Sequence, residues 1–224
     1  MNEVFAIVGK KPVMGFSKTR LAEDIGDRWA LEFYKAFMHD FFSSLKKNFK
    51  GKIYFFYTPD KDDSFQYFQR EFQSVGLTDI ELVAQPESPF FDRLNFVFNR
   101  INEKEGPSYI HLTGTDIPDF PFDKLKSLDK NRVCVGPDSD GGFYYFGGSS
   151  DLDEPFKFQK EDFKSTEVFE LLKHRLDEIA QPFNELGEWS DIDYLEDLQN
   201  FAELRKLPIE SETMQLFLKW KQLR

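Results

Sequence analysis

Five short apolar blocks mark the first part of the chain: Val4–Val8, Ile53–Tyr57, Ile80–Ala84, Tyr109–Thr113 and Arg132–Gly136. Each is a near-continuous run of branched or aromatic residues rather than an alternation, the pattern of a strand covered on both faces. Between the first two, Ala30, Tyr34, Phe37, Phe41 and Leu45 recur at spacings of three and four, which predicts an amphipathic helix from Arg28 to Lys47, with Gly26-Asp27 as its N-cap. Asp62–Ser74 and Phe91–Glu103 read as the next two crossover helices. This alternation predicts an α/β fold with a doubly wound, mostly parallel central sheet flanked by helices. In such sheets ligands lie beyond the carboxyl ends of the strands, so the residues that follow each block are the first place to look for chemistry.

After Gly136 the pattern changes. Asp138-Ser139-Asp140-Gly141-Gly142 reads as a turn, Phe143–Phe146 as an aromatic strand and Ser165–Asp177 as a helix. Two further helical stretches lie between Tyr194 and Leu223, punctuated by Pro208. The expectation is one domain over residues 1–224: a nucleotide-binding core at 1–136, then a small C-terminal lobe with the last helices at 137–224.

Composition narrows the function classes. With 224 residues, 40% of them hydrophobic, the chain can bury one continuous core. Its net charge of −11 disfavours nucleic acid and anionic lipid, so a site for an anionic substrate must be a basic island in an acidic field. An acidic surface also suits a protein that collects a divalent cation. No apolar run is long enough to span a membrane, and Met1–Val8 lacks the features of a signal peptide. Cys134, the single cysteine, sits in the apolar run Val133–Val135 and reads as a small buried hydrophobe; a cytoplasmic location is expected. The 27 phenylalanines, many in helix-like stretches, read as core, with a surplus that makes a homodimer credible.

The basic island follows the first strand. Gly9-Lys10-Lys11-Pro12-Val13-Met14-Gly15-Phe16-Ser17-Lys18-Thr19-Arg20 carries four cations, and Ser17 and Thr19 add hydroxyl donors. Gly9 and Gly15 let the backbone approach a ligand. Backbone amides, a guanidinium for bidentate contact and ammonium point charges make a pyrophosphate-binding loop. It has neither the P-loop spacing nor the dinucleotide glycine pattern, and a solvated basic loop is the competing reading.

Carboxylates appear at later strand ends. Asp116 follows the fourth block after Gly114, and Trp189-Ser190-Asp191-Ile192-Asp193 places two carboxylates at i and i+2, on one face of an extended segment. Asp116 with Asp191 or Asp193 suffices for Mg²⁺ (or Mn²⁺), which takes hard oxygen ligands from only one or two carboxylates alongside phosphates. The competing readings are a turn residue for Asp116 and helix caps for Asp191 and Asp193. His39, His111 and His174 lack metal spacing and read as structural or surface residues.

In order, Lys11-Pro12-x-x-Gly15-x-x-Lys18-Thr19-Arg20-Leu21-Ala22, Thr113-Gly114-Thr115-Asp116-Ile117-Pro118, Gly136-Pro137-x-x-Asp140-Gly141-Gly142-Phe143-Tyr144 and Asp191-x-Asp193-x-x-Glu196-Asp197-Leu198 resemble a bacterial glycosyltransferase-like family. It is known as DUF2064, or radical-SAM/selenodomain-associated transferase 1, in the nucleotide-diphospho-sugar transferase superfamily with the GT-A fold. The molybdenum-cofactor and phospholactate guanylyltransferases are relatives. The resemblance spans Val4 to about Leu198. It implies phosphate contacts from Lys11, Lys18 and Arg20, with Lys10 a bystander, metal ligation by Asp116 with Asp191 and Asp193 as further contacts, and an acceptor side lined by Asp140, Gly141 and Gly142. Between the third strand and its helix the family carries Gln, then Gly-Asp-Leu-Gly-Glu-Arg. Here Gln85, Asp92 and Arg93 fit, while Ser88-Pro89-Phe90-Phe91 replaces both glycines with bulkier residues.

Three functions remain open at this point. The first is a glycosyltransferase that uses a nucleotide-sugar donor and a small-molecule acceptor, with Asp116 placed to anchor a Mg²⁺-bound diphosphate. The second is a nucleotidyltransferase of the guanylyltransferase kind, releasing pyrophosphate from an NTP, with Lys18 and Arg20 stabilising the in-line transition state. The third is a nucleotide-binding protein without catalysis. Family naming favours the first, and the cation-rich loop with Gly9, Lys11, Gly15, Lys18, Thr19 and Arg20 favours the second.

Overall fold

The computed structural model describes residues 2–158, 167–204 and 207–223. All five apolar blocks are strands: β1 (Asn2–Lys10), β2 (Lys52–Thr58), β3 (Ile80–Ala84), β4 (Ser108–Thr113) and β5 (Val133–Pro137). They are joined by β6 (Phe143–Ser149) and β7 (Phe183–Glu185) in one sheet of order β3-β2-β1-β4-β6-β5-β7. Strands β1 to β4 pair in parallel, β5 pairs in parallel with β7, and β6 runs antiparallel between β4 and β5. Residues on both sides of Gly136 therefore share a single sheet.

The helices are α1 (Thr19–Ile25), α2 (Asp27–Asn48), α3 (Asp62–Val75), α4 (Phe90–Glu105), the short α5 (Phe122–Leu125), α6 (Val168–Glu178), α7 (Leu195–Leu204) and α8 (Glu212–Gln222). Gly26 is the N-cap of α2, as its sequence predicts. The expected helix at Ser165–Asp177 is α6 from Val168 onward; Ser165 and Thr166 lie outside the described residues.

Two apolar layers explain why the strand blocks are continuous. Phe5, Ile7, Ile53, Phe55 and Tyr57 face one layer with α2, α3, α7 and α8. Val4, Ala6, Tyr54 and Phe56 face the other, with α4 and α6. β3 departs from this pattern: it is the sheet edge, all five of its residues are only half-buried, and a continuous apolar run there overstates its cover.

The phenylalanine excess is largely core. Phe42 packs on Phe72 with ring centroids 4.6 Å apart, and Phe55 on Phe68 at 4.4 Å. Cys134 is fully buried, and burial pushes its thiol pKa up. Among the described residues no helix is long and apolar enough to cross a membrane. His111 is also buried, linked through Nδ1 to the Tyr145 hydroxyl at 2.8 Å and through Nε2 to Glu3 at 3.1 Å.

Sheet register aligns the carboxyl ends of the strands. Ile7 pairs with Thr113, Lys10 with Thr58 and Tyr57 with Ala84, so β1, β2, β3 and β4 all discharge their loops at one edge. β5 ends at the same edge because β6 reverses twice between it and β4, and the 138–142 turn is delivered there.

Candidate active site

The loop after β1 is a folded turn. Val13 donates its backbone N–H to Ser17 Oγ at 2.9 Å, and the amides of Phe16 and Ser17 both return to the Val13 carbonyl. Gly15 has φ of 75°, where a side chain would be strained. Lys18 follows with φ of 52° and ψ of 49°, a left-handed conformation that costs a non-glycine residue about 1–2 kcal/mol. That backbone aims the Lys18 side chain inward as α1 begins.

There it meets the carboxylates. Lys18 Nζ lies 2.7 Å from Asp116 Oδ2 and 2.6 Å from Asp193 Oδ1, with only 4% of its side chain exposed. Arg20 Nη1 reaches the other Asp193 oxygen at 2.8 Å. The segment after β7 crosses to β4 because the Ile192 amide donates to the Asp116 carbonyl at 3.3 Å. As a result Asp116, Asp191 and Asp193 each offer an oxygen within 4.8 Å of the others. Asp193 is not a cap: the Asp197 carboxylate accepts from the amides of Asp193 and Tyr194 and caps the start of α7 itself, leaving Asp193 turned toward the cations.

Charge in this cluster is unbalanced. Burial by itself disfavours the Lys18 ammonium, but Asp116, Asp193 and Asp191 outweigh it and raise its pKa above the ordinary lysine value. Burial also raises Asp193, yet Lys18 and Arg20 hold it below the usual carboxylate range. Asp191 has no ion pair among the described residues; burial pushes it up to about 8, Asp193, Asp116 and Asp138 add to the rise, and Lys18 only partly opposes it. Three carboxylates thus face two cations, an arrangement that fits a divalent metal. Hard oxygens converge on a spot already holding an ammonium, with one carboxyl, Asp191, left without a cation of its own.

Two cavities meet at this cluster. The smaller, about 200 Å³, is lined by Ser17, Lys18, Thr19, Arg20, Asp116 and Asp193. The larger, about 490 Å³, takes in Gly9, Asp116, Asp140, Gly142 and Asp191 and extends to the first turn of α4. Lys10 and Tyr34 line both. Lys11 and Gly15 line neither; Lys11 is ion-paired with Asp63 on α3, whereas Lys10 borders the site. Gly141 is set back from the cavity, and its carbonyl accepts the Phe169 amide at 2.9 Å, fixing the turn to α6.

Two contributors escape a reading of the sequence. Tyr34, read there only as a core position of α2, donates its hydroxyl to the Lys10 carbonyl at 3.0 Å and lies 3.0 Å from Thr115 Oγ1, which in turn donates to Asp116 Oδ1 at 3.3 Å. It ties the end of β1 to the end of β4. Asp138, seen only as a turn residue, accepts the Asp191 amide at 3.3 Å and lines the larger cavity; burial and the neighbouring Asp140 raise its pKa. No local pattern marks either, since both act through residues distant in sequence.

Residues 41–165, more than half of the chain, match the model of the family described as "Uncharacterized protein conserved in bacteria (DUF2064)". The chain belongs to the DUF2064 family. No curated protein matches this DUF2064 sequence. Its fold is that of a candidate nucleotide-diphospho-sugar transferase from Desulfovibrio desulfuricans G20, with a TM-score of 0.85 and 22% identity over 100% of this chain and 97% of that one. A candidate glucose-1-phosphate thymidylyltransferase from Bacillus anthracis, solved with sucrose, is similar at a TM-score of 0.52 and 12% identity, covering 94% of this chain and 98% of that one. The inositol-1-phosphate CTP transferase from T. maritima is similar at 0.51 and 13% identity, covering 99% and 97%. At these identities the likeness establishes that the DUF2064 chain has the Rossmann-like fold of this group, and the chemistry must be argued from the site.

Proposed function

We propose that the protein is a divalent-metal-dependent transferase that acts on a nucleotide-activated donor, in first place a nucleotide sugar. The observation that carries this reading is the convergence of Asp116, Asp191 and Asp193 on the Lys18 ammonium, beside a cavity large enough for a small ligand. Asp116, Asp191 and Asp193 would hold Mg²⁺ or Mn²⁺, which when bound supplies positive charge to a diphosphate leaving group. The remaining roles belong to the chain itself. Lys18 and Arg20 orient phosphate oxygens and hold Asp193 in place. Gly9 keeps the wall beside β1 flat, and Tyr34 fixes the spacing between the β1 and β4 loops. Asp140 and Gly142, on the opposite wall, position the acceptor.

A second reading, nucleotidyl transfer with release of pyrophosphate, draws support from the two cations against the carboxylates in the smaller cavity. Placed there, Lys18 and Arg20 could stabilise charge on an α-phosphorus under attack. A binding-only function fits less well, because carboxyls with pKa values as strongly perturbed as that of Asp191 cluster at catalytic sites.

Thermal shift in Mg²⁺ against panels of nucleotide sugars and NTPs tests the proposal. Stabilisation by neither panel would remove both enzymatic readings. Nucleoside diphosphate release from a sugar donor favours the first, and pyrophosphate release from an NTP with a phosphorylated acceptor favours the second. Asp116→Asn is expected to abolish metal-dependent turnover in either case; unchanged turnover would refute the metal assignment.

A further inference from the structure

The larger cavity has two chemically different ends. One carries Asp116, Asp138 and Asp191. At the other, Gln85 after β3 and Phe90, Phe91, Arg93 and Leu94 in the first turns of α4 form the wall. Three inter-strand steps separate β3 from β4, about 14 Å across the sheet. A nucleoside bridges that distance, and a phosphate group alone does not.

Arg93 at this end is a cation with no ion pair among the described residues. Its Nη1 donates to Gln85 Oε1 at 3.2 Å, and its Nε is buried with no hydrogen-bond partner among the described residues. Burial lowers its pKa. Gln85 cannot swing away to serve as a better partner, because it is itself buried and its Nε2 donates to the Phe56 carbonyl. It holds the guanidinium in one orientation. The guanidinium lies over the Phe90 ring, its carbon 5.6 Å from the centroid, and Phe90 is still 48% exposed although its side chain is apolar. A flat apolar ring left open beside a fixed, donor-only guanidinium describes a receptor for a planar ring with hydrogen-bond acceptors on its edge.

We propose that Arg93 and Phe90 read the base of the nucleotide, selecting bases with a carbonyl at purine C6 or pyrimidine C4 (guanine, uracil, thymine) over those with an amine at that position (adenine, cytosine). This rests on the nucleotide-dependent reading of the site given above. Guanidinium has donors only, and it stays charged at any working pH. Guanine offers O6 and N7, and uracil offers O4, as acceptors; the N6 amine of adenine and the N4 amine of cytosine would place donor against donor. A bare carboxylate would also satisfy Arg93, but it would leave Phe90, Phe91 and Leu94 against a charged group, and the planar base removes that conflict.

Calorimetric titration of the full chain with Mg²⁺ and GDP, ADP, UDP, CDP, inorganic pyrophosphate or succinate tests the proposal. The expected result is GDP binding about tenfold or more tighter than ADP, or UDP than CDP. Arg93→Gln should bring that ratio to within about threefold while pyrophosphate binding is retained. Phe90→Ala, at an exposed position that does not threaten the fold, should weaken every nucleotide and keep the ratio. Equal binding of amino and keto bases, an unchanged ratio in Arg93→Gln, or succinate binding lost in Arg93→Gln without any base preference would overturn the inference and leave the transferase reading standing. Failure of every nucleotide and of pyrophosphate to bind would overturn both.

Discussion

Asp191→Asn removes one titratable carboxyl from three that share two cations. In the wild type the Asp191 carboxyl is pushed up to about 8 by burial and by Asp193, Asp116 and Asp138, against an ordinary value of 3.8. Between about pH 4 and pH 8 the folded protein therefore holds a proton at this position that the unfolded chain has released. The sign follows: a raised folded pKa gives stability that is complete below about pH 4 and lost as pH rises through about 8. The slope is at most about 1.4 kcal/mol per pH unit. Over the two units from about pH 5 to pH 7, with a discount for the partial exposure of the site, the wild type should lose about 1–3 kcal/mol relative to the variant. Urea unfolding of both proteins in EDTA, repeated across that range, measures this as a widening gap in favour of Asp191→Asn. Adding Mg²⁺ should then stabilise the wild type more than the variant and narrow or reverse the gap. If the two proteins keep parallel stabilities from about pH 5 to pH 8 without divalent ion, the folded protein holds no extra proton at Asp191 and its raised pKa is refuted.

Other perturbations test the scaffold that holds the cluster. Tyr34→Phe strands the Lys10 carbonyl, takes one of the two partners of the Thr115 hydroxyl and should cost about 1–3 kcal/mol together with a fall in turnover; full stability and full activity would show the hydroxyl bridge to be idle. Gly9→Ala places a Cβ 2.3 Å from Phe55 Cζ and 3.2 Å from Thr115 Cγ2, and with Phe55 fully buried the overpacking should cost about 1–3 kcal/mol in a melting experiment. No loss of stability would mean that the β1 end can shift freely. Asp40→Ala deprives the Glu212 and Thr213 amides of their acceptor at the start of α8, bonds of 3.0 and 2.8 Å, and should cost about 1–2 kcal/mol, followed through the fluorescence of the buried Trp220 on that helix. An unchanged unfolding midpoint would show that another group caps α8.

Much of the fold was legible because periodicity is a local property. The runs from Val4, Ile53, Ile80, Tyr109 and Arg132 fall on strands because each block packs side chains to both faces of the sheet, and the three-and-four spacing from Ala30 to Leu45 lies on α2. β3 shows the limit: Ile80–Ala84 has the composition of a central strand, yet nothing in those residues reveals that no further strand pairs beyond it. The antiparallel insertion of β6 between β4 and β5 was equally hidden, since strand order depends on partners rather than on the strand itself.

The same division runs through the site. The sequence by itself determined that the cations follow β1, that carboxylates follow β4 and precede α7, and that Asp191 and Asp193 lie two apart, because charge, spacing and strand ends are read along the chain. Only the tertiary structure decided the pairings. Lys11 turned away to Asp63, Lys10 took a place in the wall, Tyr34 joined two loops, and Arg93 met the Gln85 side chain. Each outcome depends on which side chains from separate elements arrive within hydrogen-bonding distance. The left-handed turn at Lys18 and the backbone bond from Ile192 to Asp116 bring residues more than seventy positions apart into one low-dielectric pocket, and it is in that pocket that their charges acquire unequal strengths.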